Sequence, residues 1–291
     1  MHLHKDEHTV VKMCKVLEAS TSGYYKWVDR QTQEETEKEK KKKELKQKIC
    51  KSFHESQGTY GSPRVYDDLI EWGYQVSQKT VARYMQEMGL RATPLEKYVV
   101  TTDSDHDLTI YPNLVKRQFD VDIPNTVWVA DITYIRTLKG WVYLASIMDL
   151  FSRKIVGWSQ GISMKKELVL EALRMAQTTR RPGKGLIHHS DRGSQYCSNE
   201  YVEELTQSGA KISMSRKGDP YDNACIESFH ATIKKELIYR RRFQTKEEAM
   251  RVINHYITSR YNEKRKHSKL GYLSPNNFER EYQLSILESI S

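Results

Sequence analysis

Hydrophobic and polar positions change their spacing along this chain, from a helical period near the N-terminus to alternation in the middle. Lys and Glu dominate residues 34–51, and Leu45, Ile49 and Phe53 recur there every four residues. This spacing predicts a charged helix with one narrow apolar stripe. From residue 119 onward, short β-rich runs alternate with stretches of helical spacing. The pattern therefore predicts a helical N-terminal part followed by an α/β part.

A helix-turn-helix pattern is predicted at residues 58–93. Pro63 suits the first position of a helix, and Gly73 ends that helix. Ser77 is a favourable N-cap for a second helix, which Gly89 ends. The side chains predicted to form the core of this unit are Val65, Leu69, Ile70, Val81, Met85 and Met88. Such a unit either places an exposed helix in a DNA groove or is an ordinary small helical hairpin.

The second half of the chain predicts an α/β layer. Lys139 and Gly140 form a turn between the first two β-rich runs, and the later runs alternate with helical segments. The predicted strands are residues 126–136, 141–150, 154–159, 186–189 and 211–215, and the predicted helices are residues 165–178, 199–208, 226–241 and 246–261. Three strands followed by alternating helices and strands are typical of a mixed sheet with helices packed on it.

These patterns divide the chain into four parts. They are an N-terminal helical segment at 1–57, the helix-turn-helix unit at 58–93, a linker at 94–118, and an α/β core with basic C-terminal helices at 119–285. The linker is polar and contains Pro94 and Pro112 without a sustained period. We therefore expect two folded units joined by a connector.

The composition favours a polyanionic partner. The 291 residues include 47 Lys and Arg against 38 Asp and Glu, a formal net charge of +9 at pH 7, and nucleic acid is the commonest partner for such a surplus. The four cysteines form no Cys-x-x-Cys pair, which favours a reducing cytoplasm over a zinc or disulfide framework. No apolar run approaches the ~18 residues of a membrane span, so we expect no membrane association.

Three carboxylates stand out by their surroundings. Asp131 lies within a strand whose Val127 and Val129 share its face, and a carboxylate among buried apolar residues requires a partner or a cation. Asp191 follows a strand at a Gly-containing loop, which is where α/β sheets place ligand-binding groups. Glu227 lies near the start of a predicted helix.

Each carboxylate also has an ordinary structural explanation. Asp131 could serve a salt bridge, Asp191 could be a turn residue, and Glu227 could complement the helix dipole. Their combination is more specific, because the chain advances 36 positions from Asp191 to Glu227 and 35 residues lie between them. Lys234 follows two helical turns after Glu227 on the same face, where a cation can hold a DNA phosphate.

This pattern resembles the Asp, Asp, 35 residues, Glu signature of retroviral integrases and bacterial insertion-sequence transposases. The flanking segments are similar to the second reading-frame product of the insertion sequence 3 family, and they read NTVWVADITYI, HSDRGSQY, DNACIESFHATIKKE and RYNEKRKHSKLGYLSPNNF. Nearer the N-terminus, SGYYKW and GTYGSPRVYDDL also resemble that product. The resemblance covers nearly the whole chain.

The resemblance implies a fold, a reaction and a cofactor. The fold is a ribonuclease-H-like α/β fold, with a mixed five-stranded sheet flanked by helices and a small all-α helix-turn-helix domain before it. Asp131, Asp191 and Glu227 would hold two Mg²⁺ or Mn²⁺ ions, for which a few carboxylates suffice. The implied reaction is metal-dependent cleavage at the ends of a bacterial insertion sequence, followed by strand transfer from the freed 3′-hydroxyl.

Several further side chains are candidate contacts to double-stranded DNA. Lys234 would sit on a phosphate near the cut. His189, Arg192 and Asn223 flank the predicted pocket as supporting or DNA-contacting residues. The remaining candidates are Arg64, Lys79, Arg83, Arg240, Arg241, Arg242 and Arg265. Contacts of this kind should weaken steeply as the salt concentration rises.

The resemblance also implies partners. Working enzymes of this kind are generally frameshift fusions with an upstream DNA-binding part, or act beside that upstream product. We expect a homo-oligomer, a dimer or larger, on paired terminal inverted repeats and target DNA. Two other functions stay open: a ribonuclease-H-like nuclease that only hydrolyses, and an inactive DNA-binding regulator derived from a transposase. The helix-turn-helix unit argues against the first, and the presence of all three carboxylates argues against the second.

Overall fold

The computed structural model describes residues 1–4, 6–32, 36–92, 108–217 and 219–290. The linker predicted at 94–118 is therefore described only from residue 108, and residues 94–107 lie outside the described part. The described chain comprises a helical unit and an α/β core. None of its described helices is long and apolar enough to cross a bilayer.

Five α-helices are described in the N-terminal part. They are α1 (Val10–Val16), α2 (Thr21–Thr32), α3 (Glu37–Glu55), α4 (Ser62–Glu71) and α5 (Gln78–Glu87). Helix α3 begins with a capping box, in which the Thr36 hydroxyl accepts from the Glu39 backbone N–H and the Glu39 side chain accepts from that of Thr36. The predicted N-cap of α5 is confirmed, because Ser77 Oγ accepts a hydrogen bond from the backbone N–H of Thr80.

One apolar core joins α3, α4 and α5. Ile49, Val65 and Leu69 are fully buried in it. Ile70 was predicted to join them, but its side chain is 46% exposed, because it lies about 100° around the helix from Leu69. The helical unit thus includes α3 in addition to the range 58–93 assigned from the sequence.

The α/β core contains a mixed five-stranded sheet, as predicted. Its strands are β1 (Val127–Thr137), β2 (Gly140–Asp149), β3 (Ile155–Gly161), β4 (Ile187–Ser190) and β5 (Lys211–Met214), in the spatial order β3-β2-β1-β4-β5. Short turns connect β1, β2 and β3, so these strands pair antiparallel. The pairs β1–β4 and β4–β5 are parallel, because helices connect them in the chain.

Helices cover both faces of this sheet. The α-helices described in the core are α6 (Lys166–Arg180), α7 (Asn199–Gln207), α8 (Ala224–Glu236), α9 (Lys246–His255) and α10 (Pro275–Ile290), and α6 to α9 form this cover. Helices α6 and α7 pack on the face that buries Trp128. Helices α8 and α9 pack on the opposite face, over Val129 and Ile135. Alternate residues of β1 therefore enter two separate apolar layers.

Two predicted helices change their geometry before their expected ends. The helix predicted for residues 226–241 ends earlier, as α8, because Leu237 leaves the helical region (φ −126°), and a 3₁₀ turn, Ile238–Arg240, follows. The helix predicted for residues 246–261 ends as α9 and continues as a π-helical segment, Tyr256–Tyr261. The three consecutive arginines after α8, Arg240, Arg241 and Arg242, therefore lie in this turn and in the segment that follows it.

Side-chain contacts hold the helical unit against the α/β core. The ammonium nitrogen of Lys266 lies within 3.0 Å of carboxylate oxygens of three residues of α4, Asp67, Asp68 and Glu71. Although burial favours the neutral amine, these carboxylates hold the pKa of Lys266 above its usual value. The backbone N–H of Lys266 also donates a hydrogen bond to the Tyr60 hydroxyl, at 3.0 Å.

Gly157 allows β3 to pack closely against α6. A β-carbon at this position would lie 2.3 Å from the carbonyl oxygen of Ala172 and 2.7 Å from Cβ of Ala176. We therefore expect Gly157→Ala to lower the free energy of unfolding by about 1–3 kcal/mol through overpacking. Urea denaturation measures this loss. The matched control is Gly183→Ala, whose β-carbon meets no described heavy atom within 4 Å; equal midpoints for the two variants would contradict the prediction.

Candidate active site

The register of the sheet brings Asp131 and Asp191 to neighbouring positions. Strands β1 and β4 are parallel, and Val129 of β1 pairs with His189 of β4. Asp131 and Asp191 each lie two residues further along their chain segments, and equivalent positions on adjacent parallel strands point to the same face. Neighbouring strands lie about 4.8 Å apart. The two aspartates therefore meet where β4 ends and β1 continues.

Helix α8 and its N-cap residue carry a polar stripe toward β1. Its members are three or four residues apart and share one helix face; they are Asn223, Glu227, His230 and Lys234. The side-chain N–H of Asn223 donates to the carbonyl oxygen of Ala130, at 3.0 Å. This bond ties the start of α8 to β1 beside the first aspartate. Glu227, one turn later, is thereby directed to the same place.

His230 is a site residue that the sequence patterns did not indicate. Its Nδ1 lies 3.2 Å from Oδ2 of Asp131, its Nε2 lies 3.3 Å from Oγ of Ser146, and the ring is fully buried. The other carboxylate oxygen of Asp131 accepts from the backbone N–H of Ile132, at 2.8 Å. His230 therefore orients the Asp131 carboxylate. Its spacing of three residues from Glu227 was the available signal, since such residues share a helix face.

The three carboxylates interact electrostatically. Burial raises the pKa of Glu227 to about 7, together with the negative charges of Asp131 and Asp191. Burial lowers the pKa of Lys234, and the charge of Asp131 opposes that shift. A carboxylate whose ionised form is disfavoured by two like charges is stabilised by any cation that binds beside it. The site therefore favours a bound cation.

A buried network supports the strand end that carries Asp191. Nδ1 of His189 lies 2.8 Å from Oγ of Ser213, and its Nε2 lies 3.2 Å from Oγ of Ser215. Burial lowers the pKa of His189 to about 4, so the ring is neutral at pH 7. Asp191 accepts a hydrogen bond from the backbone N–H of Gly193, at 2.9 Å, so its turn role is present as well. The burial of His189 corrects the prediction of a DNA contact and leaves the supporting role.

Buried polar contacts also hold the loop before α8. Asp222 is fully buried, and its carboxylate accepts hydrogen bonds from the side chains of Arg216 and Arg117. The hydrogen bond from Arg216 is the largest of the effects that hold the pKa of Asp222 well below its usual value. Asn223 is only 4% exposed. This burial corrects the prediction that Asn223 contacts DNA, because its side chain positions α8 instead.

The donor set suits a hard divalent cation, although the side chains do not yet enclose one. Mg²⁺ and Mn²⁺ prefer the carboxylate oxygens that Asp131, Asp191 and Glu227 offer. Within the described part of the chain, no group of three or more His, Cys, Asp or Glu side chains is placed to hold an ion. Asp131 is turned to His230, and Asp191 to the backbone of Gly193. Direct coordination by all three carboxylates therefore requires side-chain rotation.

Two predicted DNA contacts have partners within the protein. Arg265 is 7% exposed, and its Nε donates to a carboxylate oxygen of Glu236 at 2.9 Å. Arg240 donates to the backbone carbonyl oxygens of Gln57 and Gly58 in the helical unit. These contacts correct the prediction for Arg265, which is buried in the core, and give Arg240 a role in joining the two units.

The other predicted cations divide by exposure. Arg64 is half-buried, and its guanidinium lies 5.5 Å from the centre of the Tyr60 ring. Its pKa is lowered mainly by burial and, to a smaller extent, by the positive charge of Arg265. Arg64 therefore faces the junction between the two units. Arg192 is half-buried beside the site, and its Nε donates to the carbonyl oxygen of Ser215 at 2.7 Å. The cations that are exposed are Lys79, Arg83, Arg241 and Arg242.

Comparison with known families matches both parts of the chain. Residues 121–220 and 208–275 match the family described as "Integrase core domain", and residues 40–98 match the "HTH-like domain". The α/β core with its three carboxylates and the helical unit before it thus define a protein of the integrase-core class.

Two relatives extend over almost the whole chain. The transposase InsF for insertion sequence IS3A of Escherichia coli K12 is 39% identical over 276 residues, which cover 95% of this chain and 96% of InsF. The uncharacterized 31 kDa protein of insertion element IS600 from Shigella sonnei is 44% identical over 270 residues, which cover 93% of this chain and 98% of that protein. The chain belongs to the IS3 family of transposases. The resemblance stated from the sequence is confirmed.

Among solved structures, the chain matches an integrase catalytic core domain and an intasome, both at low similarity. The HTLV-2 integrase catalytic core domain in complex with magnesium, in its dimeric form, has a TM-score of 0.39 and 19% identity, covering 50% of this chain and 92% of that one. The simian T-cell lymphotropic virus intasome in complex with PP2A regulatory subunit B56 gamma has a TM-score of 0.42 and 12% identity, covering 73% and 69%.

Proposed function

We propose that this transposase cleaves DNA at the ends of an insertion sequence and joins the freed strand to a second DNA site. In this proposal Asp131, Asp191 and Glu227 are the ligands of Mg²⁺ or Mn²⁺. The supporting observation is their convergence, since the two aspartates contribute to raising the pKa of Glu227 to about 7. Each pair of like charges at ~4 Å and an effective dielectric of ~20 repels by about 4 kcal/mol, and a divalent cation converts this repulsion into affinity.

The metal and the chain have separate tasks in the reaction. Asp131, Asp191 and Glu227 would hold the ions, which when bound would supply positive charge beside the attacking oxygen and the leaving oxygen of a phosphodiester. His230 orients Asp131, and Asn223 fixes the start of α8 against β1. Lys234 lies on the same helix face and holds a phosphate of the DNA beside the cut. Water is the nucleophile of the first step, and the 3′-hydroxyl that it releases is the nucleophile of the second.

Exposed cations of both units bind the DNA backbone in this proposal. Lys79 and Arg83 lie on the exposed face of α5, the second helix of the predicted helix-turn-helix. Arg241 and Arg242 follow α8 and lie close to Lys234, as neighbours in one cavity. Phosphate contacts of this kind release counterions, so the affinity for DNA falls steeply as the salt concentration rises.

The working complex contains more than one copy of the chain. One carboxylate cluster acts on one phosphodiester at a time, whereas an insertion sequence has two ends to be cut. We therefore expect a dimer or larger assembly on paired ends, formed together with the upstream reading-frame product or as a fusion with it. Sizing of the complex with end DNA tests this expectation, and a complex with a single copy would contradict it.

Strand joining on labelled end DNA tests the function. The full chain, with the upstream product, is incubated with DNA that carries the flanking inverted repeats in Mg²⁺, in Mn²⁺ or in EDTA. The expected result is joined strands that require the metal. Hydrolysis without joining would favour the ribonuclease-H-like nuclease, and binding without any cleavage would favour the inactive regulator.

His230 is expected to act as a positioning residue for Asp131. His230→Leu removes the hydrogen bond to the carboxylate, and loss of such an orienting partner typically lowers activity or metal affinity by about 10- to 100-fold. We expect slower joining and a higher Mg²⁺ concentration for half-maximal rate. His230→Asn, whose side-chain N–H can replace Nδ1, should restore most of the joining rate and of the Mg²⁺ affinity. A loss of stability in His230→Leu with an unchanged Mg²⁺ dependence would show a purely structural role.

A further inference from the structure

A cavity of about 610 Å³ opens beside Lys234, between the β1–β2 hairpin and the segment after α8. We call it the Trp141 pocket. Four aromatic side chains border it, Tyr134 and Trp141 from the hairpin and Tyr239 and Phe243 from the segment after α8. Its volume falls within the range of ligand-binding pockets, ~300–1,000 Å³. The pocket is large enough for a ligand with a planar ring.

The lining combines these aromatic rings with positive charge. Its cations are Arg136, Lys234, Arg241 and Arg242, and none of the described residues that line it is Asp or Glu. The guanidinium of Arg136 lies 5.9 Å from the centre of the Trp141 ring, and Nζ of Lys234 lies 4.8 Å from the centre of the Tyr134 ring. An anion that carries a planar ring matches both features of this lining.

The exposure of the aromatic rings points to a ligand. Trp141 is 42% exposed and Tyr239 is 59% exposed, so neither ring is needed to fill the core. Aromatic side chains interleaved with cations are the usual binding surface for single-stranded nucleic acid, where bases stack on the rings and phosphates contact the cations. A duplex presents its phosphates but covers its base faces by stacking. Only an unstacked nucleotide presents both.

We propose that the Trp141 pocket binds one unstacked nucleotide of the DNA strand next to the cleavage site. Its phosphate contacts Lys234 and Arg242, and its base stacks on Trp141. Lys234 lies seven residues after Glu227, which is about 10 Å along the helix. That length corresponds to about three base-pair steps of duplex at 3.4 Å each. The nucleotide therefore lies within about three positions of the cut, and in this respect the inference rests on the proposed function.

A binding experiment with abasic DNA tests the pocket. The affinity of the full chain for end DNA is measured in EDTA, with a single abasic nucleotide placed in turn at each position near the cut. The abasic nucleotide keeps its phosphate and lacks only the base. At one position we expect wild-type binding to weaken about tenfold, the scale of one base–aromatic stack. Trp141→Ala should weaken binding to intact DNA by a similar factor and show no further loss with that abasic DNA.

Two further variants separate stacking from other effects. Trp141→Phe keeps an aromatic ring and should keep the dependence on the base at that position. Trp27→Ala removes a similarly exposed tryptophan, 45% exposed on α2, and should show no dependence on position. The proposal is overturned if Trp141→Ala loses the same factor on every DNA, which would indicate a phosphate contact only, or if it loses nothing.

The outcomes for the pocket and for the proposed function are distinguishable, because binding in EDTA requires no catalysis. If the effects of Trp141→Ala and of the abasic nucleotide coincide at one DNA position but no strands are joined in Mg²⁺, the pocket is supported and the proposed function is contradicted. If strands are joined but the two effects do not coincide at any position, the function is supported and the pocket is contradicted.

Discussion

The Glu227→Gln variant is expected to lose strand joining by roughly 10³-fold or more, the scale of removing one preorganised charge-stabilising group, while it binds end DNA like the wild type. Glutamine keeps the shape of the side chain and removes its charge, so two carboxylates instead of three remain to hold a divalent cation. A 10³-fold loss corresponds to about 4 kcal/mol of transition-state stabilisation. The measurement is the single-turnover rate of joining on labelled end DNA in Mg²⁺.

Glu247→Gln is the matched control for this variant. Glu247 lies in the first turn of α9, as Glu227 lies in the first turn of α8, and it is exposed. Both substitutions remove a charge that complements a helix dipole. If the interaction with the helix dipole were the only role of Glu227, the two variants would have similar rates of joining. We expect Glu247→Gln to join DNA at the wild-type rate, and equal joining by Glu227→Gln would show that Glu227 is not a catalytic ligand.

Thermal unfolding provides a second measurement on the same variant, independent of catalysis. In EDTA, Glu227→Gln should have a higher Tm than the wild type, because it removes one of three carboxylates that repel one another. A cation that binds only the folded state raises Tm as its concentration increases. This increase should be larger for the wild type than for the variant. An equal response to Mg²⁺ in both proteins would contradict the ligand role of Glu227.

The Arg265→Met variant is expected to lower the free energy of unfolding by about 3–5 kcal/mol, the usual effect of removing one partner of a buried ion pair. Arg265 donates to one carboxylate oxygen of Glu236, and the Tyr256 hydroxyl donates to the other at 2.7 Å. Without the guanidinium, Glu236 would keep the hydrogen bond from the neutral Tyr256 hydroxyl but would lose its ion-pair partner. Urea denaturation followed by circular dichroism measures the loss.

Two comparisons separate this structural role from a DNA contact. Adding Glu236→Gln to Arg265→Met neutralises the remaining buried charge and should recover most of the stability. Arg241→Met replaces an exposed arginine, so its stability should stay within about 0.5 kcal/mol of the wild type while its affinity for DNA decreases. If Arg265→Met were as stable as the wild type but bound DNA more weakly, Arg265 would be a DNA contact and the structural role would be contradicted.

Local patterns accounted for most of the secondary structure, whereas the choice of the three carboxylates rested on their spacing and on the resemblance to integrases and transposases. Both ends of each of the five strands lie within two residues of their predicted positions, because alternation and turn residues such as Gly140 are local signals. The ends of α8 and α9 were predicted too far along the chain. Leu237 and the π-helical segment pack into the core on this face of the sheet, and the periodicity of the sequence does not show how such packing changes the backbone.

The basic residues show where sequence interpretation stopped. Arg265 and Arg64 were grouped with exposed arginines as DNA contacts, although the structure places the first in the core and the second at the junction between the two units. A cationic side chain is exposed by default, and only the presence of a distant partner, such as Glu236 for Arg265, makes its burial favourable. That partner lies in another element, so no local pattern identifies it.

The sequence by itself determined the fold class, the helical unit and the order and spacing of Asp131, Asp191 and Glu227. Tertiary structure alone decided that β1 and β4 pair in the register that sets the two aspartates side by side, that His230 orients Asp131, and that the Trp141 pocket forms beside Lys234. The physical reason is that periodicity, capping and turn preferences act between residues a few positions apart, whereas strand register and side-chain pairing are settled between elements far apart in the chain.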